Sequence, residues 1–253
     1  MTAAPPPSPR GGKRRFSIIG LIGELLITAG VLVFLFLGWQ LWLNDLIVGA
    51  QQDKAAVQLA KEWSGSVPTR TRPTTVAPPD YGTPVVPAVQ SNATKFAVLY
   101  IPRFGADYAR AIAEGVGTSD VLDKGILGHY PDSQLPGAIG NFAVAGHRTT
   151  HGAPLKQIAS LRVGDKIYVQ TADGYFTYDF RGLEYVRPTG VGVIDPVPQN
   201  PGVAPTDRIM TMTSCNPMFS SSERIVGYAV FDSWQPTSAG PPAEIAATVK
   251  ARG

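Results

Sequence analysis

Arg208-Ile-Met-Thr-Met-Thr-Ser-Cys215, the loop from Asn216 to Ser222, and then Arg224-Ile-Val-Gly-Tyr-Ala-Val-Phe231 form the stretch on which the reading of this chain turns. Both apolar runs are short, rich in β-branched and aromatic residues, and separated by turn formers, which predicts two antiparallel strands. The seven-residue loop between them would bring Cys215, at the end of one strand, beside Arg224, at the start of the next. Cys215 is the only cysteine in 253 residues. A structural core thiol is the plainer alternative, because free cysteine is among the most buried residue types. Against it, Asn216-Pro217 takes the chain out of the sheet there, and the loop that follows is small and polar. Arg224 keeps its charge at every relevant pH, so it suits stabilising an oxyanion and not proton transfer.

Working outward, Phe96–Ile101 and Asn141–Ala145 read as further strands. Lys166–Thr171 and Tyr175–Phe180 flank Ala172-Asp173-Gly174, whose Asp-Gly is a strong hairpin signal. Tyr108–Glu114 reads as a short helix. Many short strands with little helix predict a mainly β domain, a closed or nearly closed barrel, over residues 95–234. His147 follows the Asn141–Ala145 strand, and Gly146 is expected to let the backbone turn sharply and present the ring. His129 and His151 are its competitors. His147 and His151 have the i, i+4 spacing of a helical metal pair. Gly146, Thr149, Thr150, Gly152 and Pro154 oppose a helix there, so no metal site is expected. The absence of Cys-x-x-Cys argues against thioredoxin-like redox chemistry and thiolate zinc sites.

Upstream, Phe16–Leu43 is apolar almost throughout and exceeds the roughly 20 residues that cross a bilayer. Glu24 is its one charge. Arg14 and Arg15 on one side and Trp39 and Trp42 on the other predict a single span with the N-terminus inside. A cleaved signal peptide, with Val48-Gly49-Ala50 offering small residues, is the rival, but the run is longer than a signal core of about 7–15 residues. The expected organisation is a cytoplasmic tail (1–15), a transmembrane helix (16–43), a juxtamembrane helix (44–63), a Pro-rich linker (64–94), the barrel domain (95–234) and a flexible C-terminal tail (235–253). The linker would let the domain stand away from the lipid surface. A net charge of +3, from 22 Lys and Arg against 19 Asp and Glu, is too small to point to nucleic acid. With the thiol outside the cytoplasm and unpaired, it needs a role other than a disulfide.

Gly146-His147, Thr211-Met-Thr-Ser-Cys215 and Arg224 together resemble the signature of the sortases, membrane-bound cysteine transpeptidases, in the family's order and approximate spacing over residues 95–232. Gly128-His-Tyr-Pro131, Leu135-Pro-Gly137 and Gly140-Asn-Phe-Ala-Val-Ala-Gly-His-Arg-Thr-Thr150 are most similar to class E, the housekeeping sortases of actinobacteria. The usual Thr-Leu-x-Thr-Cys carries Met212 for Leu and Ser214 for the second Thr. Leu to Met conserves volume and Ser keeps the hydroxyl. The resemblance implies a closed eight-stranded barrel after one transmembrane helix, anchored in the plasma membrane with the catalytic domain outside. It implies Cys215 as nucleophile, His147 as proton donor and Arg224 as the oxyanion or substrate-carbonyl group, with no cofactor. Substrates would be secreted proteins with a C-terminal Leu-Ala-x-Thr-Gly or Leu-Pro-x-Thr-Gly motif, cut between Thr and Gly. The acceptor would be an amine of a lipid-linked peptidoglycan precursor. Tyr130, Thr213 and Ser214 are the implied substrate-binding residues: Tyr130 would contact the motif's second residue, Ser214 would offer a hydroxyl to the threonine pocket, and the loop from Arg187 to Asp207 would wall in the leucine. Some sortases hold calcium on acidic loops, but Thr149–Arg162 contains no Asp or Glu, so none is expected here. Pro79-Asp80-Tyr81-Gly82 lacks the proline of the Asp-Pro-aromatic lid seen in pilus-building class C enzymes. The alternatives are a pilin polymerase using a lysine amine, an L,D-transpeptidase, whose His-Gly-x-x pattern is missing, and a non-catalytic anchored binding module.

Overall fold

A computed structural model describes residues 17–64 and 80–251. The expected cytoplasmic tail with Arg14 and Arg15, and residues 65–79 of the linker, lie outside the described residues. So does the side chain of Trp42. The chain divides into two compact units, residues 1–40 and 41–253.

In the first unit, α1 (Ile18–Gly38) begins where the Ser17 hydroxyl accepts a hydrogen bond from the Gly20 amide at 3.2 Å. None of its 21 residues is buried, and at 1.5 Å per residue they extend about 30 Å, the thickness of a hydrocarbon core. It is the one helix among the described residues long and apolar enough to cross a membrane. A π-helical turn, Trp39–Leu43, follows it directly.

The second unit is built on eight strands: β1 (Lys95–Tyr100), β2 (Ala109–Glu114), β3 (Leu127–His129), β4 (Gly140–Ala145), β5 (Lys166–Gln170), β6 (Gly174–Val186), β7 (Arg208–Asn216) and β8 (Glu223–Pro236). They close into a barrel in the order β1-β2-β3-β4-β7-β8-β6-β5. β2 pairs β3 and β4 pairs β7 in parallel, and the other pairs are antiparallel. Period-two alternation fills the interior with Leu99, Ile112, Leu127, Phe142, Val144, Ile167, Phe176, Met210 and Met212. Met212 sits in this core and is fully buried, which explains why an apolar residue of leucine's volume is what that position needs.

A second apolar layer wraps the outside of β1 and β2. There α2 (Asn44–Ser64) lays Ala56, Val57 and Ala60 against Val98, Ala109, Ala111 and Ala113, and Ile245 and Val249 join them. This layer corrects two expectations. Ala109–Glu114 is a strand and not a helix: all six residues are buried, so both faces are covered and the alternation that marks a half-exposed strand is missing. The tail expected to be loose after Trp234 continues β8 to Pro236 and carries α3 (Ala246–Ala251), with Thr248 Oγ1 donating to the Ala106 carbonyl. The expected juxtamembrane helix is α2, and it docks on the barrel. Small residues on both faces allow that close approach, and the Asp53 carboxylate accepts from the Ala109 amide and the Arg110 guanidinium.

Candidate active site

The antiparallel register sets Cys215 directly opposite Arg224. Cys215 is half-buried, and the Arg224 guanidinium donates to the carbonyls of Ser221 and Glu223 at 3.0 Å each, which ties it to the mouth of the β7–β8 loop. On the other side of β7, the parallel register with β4 runs from Gly140↔Arg208 to Ala145↔Thr213. Hydrogen bonds carry that register past the end of the ladder. Gly146 N donates to Thr213 O at 3.1 Å, Ser214 Oγ donates to Gly146 O at 2.7 Å, and Arg148 donates to the Asn216 side chain. His147 is thereby bracketed beside Cys215. Cys215 and Arg224 are thus a cross-strand pair of β7 and β8, and His147 lies two residues beyond the end of β4, the strand that flanks β7 on the other side. One residue further on, Arg148, Asn216 and Glu223 form a parallel brace, with Asn216 Nδ2 donating to Glu223 Oε2 at 2.8 Å.

His147 holds a partner that sequence reasoning missed. Its Nε2 lies 2.7 Å from Oδ1 of Asp123, a residue of the 3₁₀ turn Leu122–Lys124. The His151 ring stacks on the His147 ring at 5.0 Å between centroids, and its Nδ1 donates to the Asp123 carbonyl at 3.0 Å. The sequence argument against a metal pair weighed only a helix as the means of bringing His147 and His151 together. A turn of left-handed residues, Thr150 to Ala153, does so instead. Ligand atoms of Asp123, His147 and His151 lie within 4.8 Å of one another. Two imidazoles and one carboxylate suit a transition ion better than calcium. Nothing in the sequence around Asp123 marks it, since a lone acid in a turn ordinarily faces solvent. His129, the other competitor, is structural. It is buried, with Nδ1 at 2.8 Å from Glu114 and Nε2 at 3.1 Å from the Gln134 carbonyl, and it packs between Phe96 and Phe142.

Strand alternation sorts the expected substrate-binding residues. Thr213 shares the face of Cys215, and its hydroxyl lies 2.9 Å from the Tyr130 phenol. Tyr130 is half-buried and sits at the end of β3, directly after His129. Ser214 points the other way: it is buried, and its hydroxyl is taken by the Gly146 carbonyl. It braces the backbone before His147. Gly146 also differs from expectation. Its φ is not left-handed, and what requires glycine is room, since a Cβ there would lie 2.6 Å from Leu127 and 3.1 Å from Leu155. The loop from Arg187 to Asp207 is held by Asn141, another residue the sequence did not single out. Asn141 is fully buried; its amide donates to the carbonyls of Val193 (3.2 Å) and Asp195 (3.0 Å), and its oxygen accepts from Thr211 at 2.7 Å. A cavity between α2 and the 104–110 and 152–157 segments is lined by none of Cys215, His147 and Arg224.

Comparison with known proteins gives the family. The family described as "Sortase domain" matches residues 99–232. The sortase SrtE1 of Streptomyces coelicolor is 37% identical over 227 residues, covering 87% of this chain and 59% of its own length, so the chain spans less than two thirds of that relative. Among solved structures, a sortase SrtA from Actinomyces oris superposes with a TM-score of 0.62 at 35% identity, over 65% of this chain and 94% of that one. Sortase E1 from Streptomyces coelicolor, with a tripeptide in its active site, gives a TM-score of 0.57 at 38% identity, over 62% of this chain and 99% of that one. Barrel order, the Cys215–Arg224 register and these matches agree: the chain belongs to the sortase family.

Proposed function

We propose that this protein is a cysteine transpeptidase that cleaves a C-terminal Leu-Ala-x-Thr-Gly or Leu-Pro-x-Thr-Gly motif between Thr and Gly and passes the acyl group to an amine. The observation that carries this is the Cys215↔Arg224 pairing of β7 and β8, with His147 just past the end of β4, which pairs β7 on its other side. The Cys215 thiolate attacks the threonine carbonyl, forming the S–C bond. Arg224 faces the oxygen on which negative charge develops. Asp123 occupies Nε2 of His147, which leaves Nδ1 to deliver a proton to the glycine nitrogen as the C–N bond breaks. An incoming amine then attacks the thioester, gives a proton to His147, and releases the thiolate. A thiolate serves both halves because it is a strong nucleophile and a good leaving group.

The substrate is a secreted protein and the acceptor an amine on a lipid-linked peptidoglycan precursor. Tyr130, hydrogen-bonded to Thr213, borders the site for the motif's second residue, and the Asn141-anchored loop walls the leucine. The tripeptide seen in the active site of sortase E1 from Streptomyces coelicolor supports a groove that accepts an extended peptide. α1 anchors the protein in the plasma membrane as a single pass, N-terminus in the cytoplasm and barrel outside. The test is an assay of Leu-Ala-x-Thr-Gly peptides varied at the second position, with and without amine acceptors, using wild type and Cys215→Ala. Amine-dependent transfer that is lost in Cys215→Ala is expected. Turnover retained in that variant would sink the assignment.

A further inference from the structure

The helix that follows the apolar span reaches the active site. Along one face of α2, Asp45, Val48, Gly49 and Gln52 recur at the i, i+3, i+4, i+7 spacing of one helical stripe. Asp45 is buried, and its two carboxylate oxygens accept the amides of Thr150 (3.0 Å) and Gly152 (3.2 Å), just beyond His147. Gln52 Nε2 donates to the Lys124 carbonyl at 2.6 Å, in the residue after Asp123. Val48 fills the space between: a Cβ on Gly152 would meet it at 3.0 Å and one on Gly125 at 3.5 Å. One face of one helix therefore grips both segments that carry the His147–Asp123 pair.

The turn it grips is strained. Thr150, His151, Gly152 and Ala153 have φ of 61°, 51°, 78° and 39° in succession. A non-glycine residue held there is strained and persists only where its surroundings over-determine it. Threonine, being β-branched, is poorly suited to that region. A carboxylate accepting two amides of the turn is such a determinant.

We propose that α2 is a positioning element of the active site: Asp45 and Gln52 set the geometry of His147 by fixing the turn after it and the backbone of its partner Asp123. This rests on the transpeptidase reading, in which His147 transfers the proton. Without Asp45 the turn relaxes toward ordinary φ, His147 loses its register beside Cys215, and proton delivery fails while the peptide groove formed by Tyr130, Thr213 and the Asn141-anchored loop stays intact.

The experiment uses the full-length chain in nanodiscs, with thioacylation by a Leu-Ala-x-Thr-Gly peptide as the readout. Asp45→Ala and Gln52→Leu are expected to lower kcat about 10- to 100-fold with KM within about two-fold. Asp45→Asn, which keeps one acceptor oxygen, is expected to fall between wild type and Asp45→Ala. The double variant Asp45→Ala/Asp123→Asn should be within about two-fold of the poorer single variant, because both act through His147. Wild-type kcat in Asp45→Ala and Gln52→Leu, or losses that multiply in the double variant, would overturn the proposal. If thermal melts show Asp45→Ala unfolded, Gln52→Leu and Asp45→Asn decide it. Cys215→Ala separates the two claims: an inactive Cys215→Ala with fully active Asp45 variants leaves the transpeptidase reading standing and removes this one.

Discussion

Ser214→Ala separates two roles for a hydroxyl one residue from the nucleophile. The structure buries this hydroxyl and gives its hydrogen to the Gly146 carbonyl at 2.7 Å. Removing it loses a hydrogen bond with a net value of about 1 kcal/mol and strands a buried carbonyl, for a total of about 1–2 kcal/mol. In a domain of this size that corresponds to a melting temperature lower by about 3–6 °C. The same bond extends the β4–β7 register to His147, so its loss also loosens the placement of His147, and kcat is expected to fall about 10-fold with KM within about two-fold. Ser214→Thr restores the hydroxyl and should recover most of both losses. Scanning calorimetry and steady-state kinetics on the sorting peptide read the two effects separately. A raised KM with unchanged melting temperature and kcat would refute the reasoning, because the hydroxyl would then be contacting substrate threonine.

Asp123→Asn should lower kcat about 10- to 100-fold without raising KM, measured on the same peptide, because it removes the charged acceptor that orients His147. Prolonged chelation with EDTA is expected to leave turnover unchanged; a loss restored by a divalent ion would mean that Asp123, His147 and His151 hold a working metal. The Arg103 guanidinium, hydrogen-bonded to Asp165, holds that carboxyl below the usual carboxylate range. Its folded pKa is depressed, so the stabilisation is present above the unfolded value of about 3.9 and is lost as pH falls through the folded pKa. The melting temperatures of wild type and Arg103→Gln should therefore differ at neutral pH and converge below about pH 4; a gap that is unchanged at pH 3 would contradict this.

The β7–β8 pair was legible because its two apolar runs are adjacent in sequence, and a short loop forces the ends together. The Cys215–Arg224 register follows from that alone. The approach of His147 to Cys215 was not, since β4 and β7 pair in parallel across more than sixty residues and no local pattern announces the match; the motif resemblance pointed to it. Ala109–Glu114 misled because strands covered on both faces lose their alternation, and Ala, Arg and Glu favour helices when nothing else decides. Strand alternation, applied from Cys215, puts the Ser214 side chain on the opposite face of β7 from Thr213 and the thiol. Asp123 and Asp45 were invisible: their function comes from what they meet in space, and each looks in sequence like an ordinary solvated acid.

The most direct measurement is peptide mapping by mass spectrometry of the full-length enzyme after reaction with a Leu-Ala-x-Thr-Gly peptide. The predicted result is an acyl mass ending at the motif's threonine on the fragment containing Cys215, released by hydroxylamine and absent from Cys215→Ala and His147→Ala. An adduct on any other residue, or one that still forms on Cys215 at the wild-type rate without His147, would contradict the arrangement of these side chains as a working site.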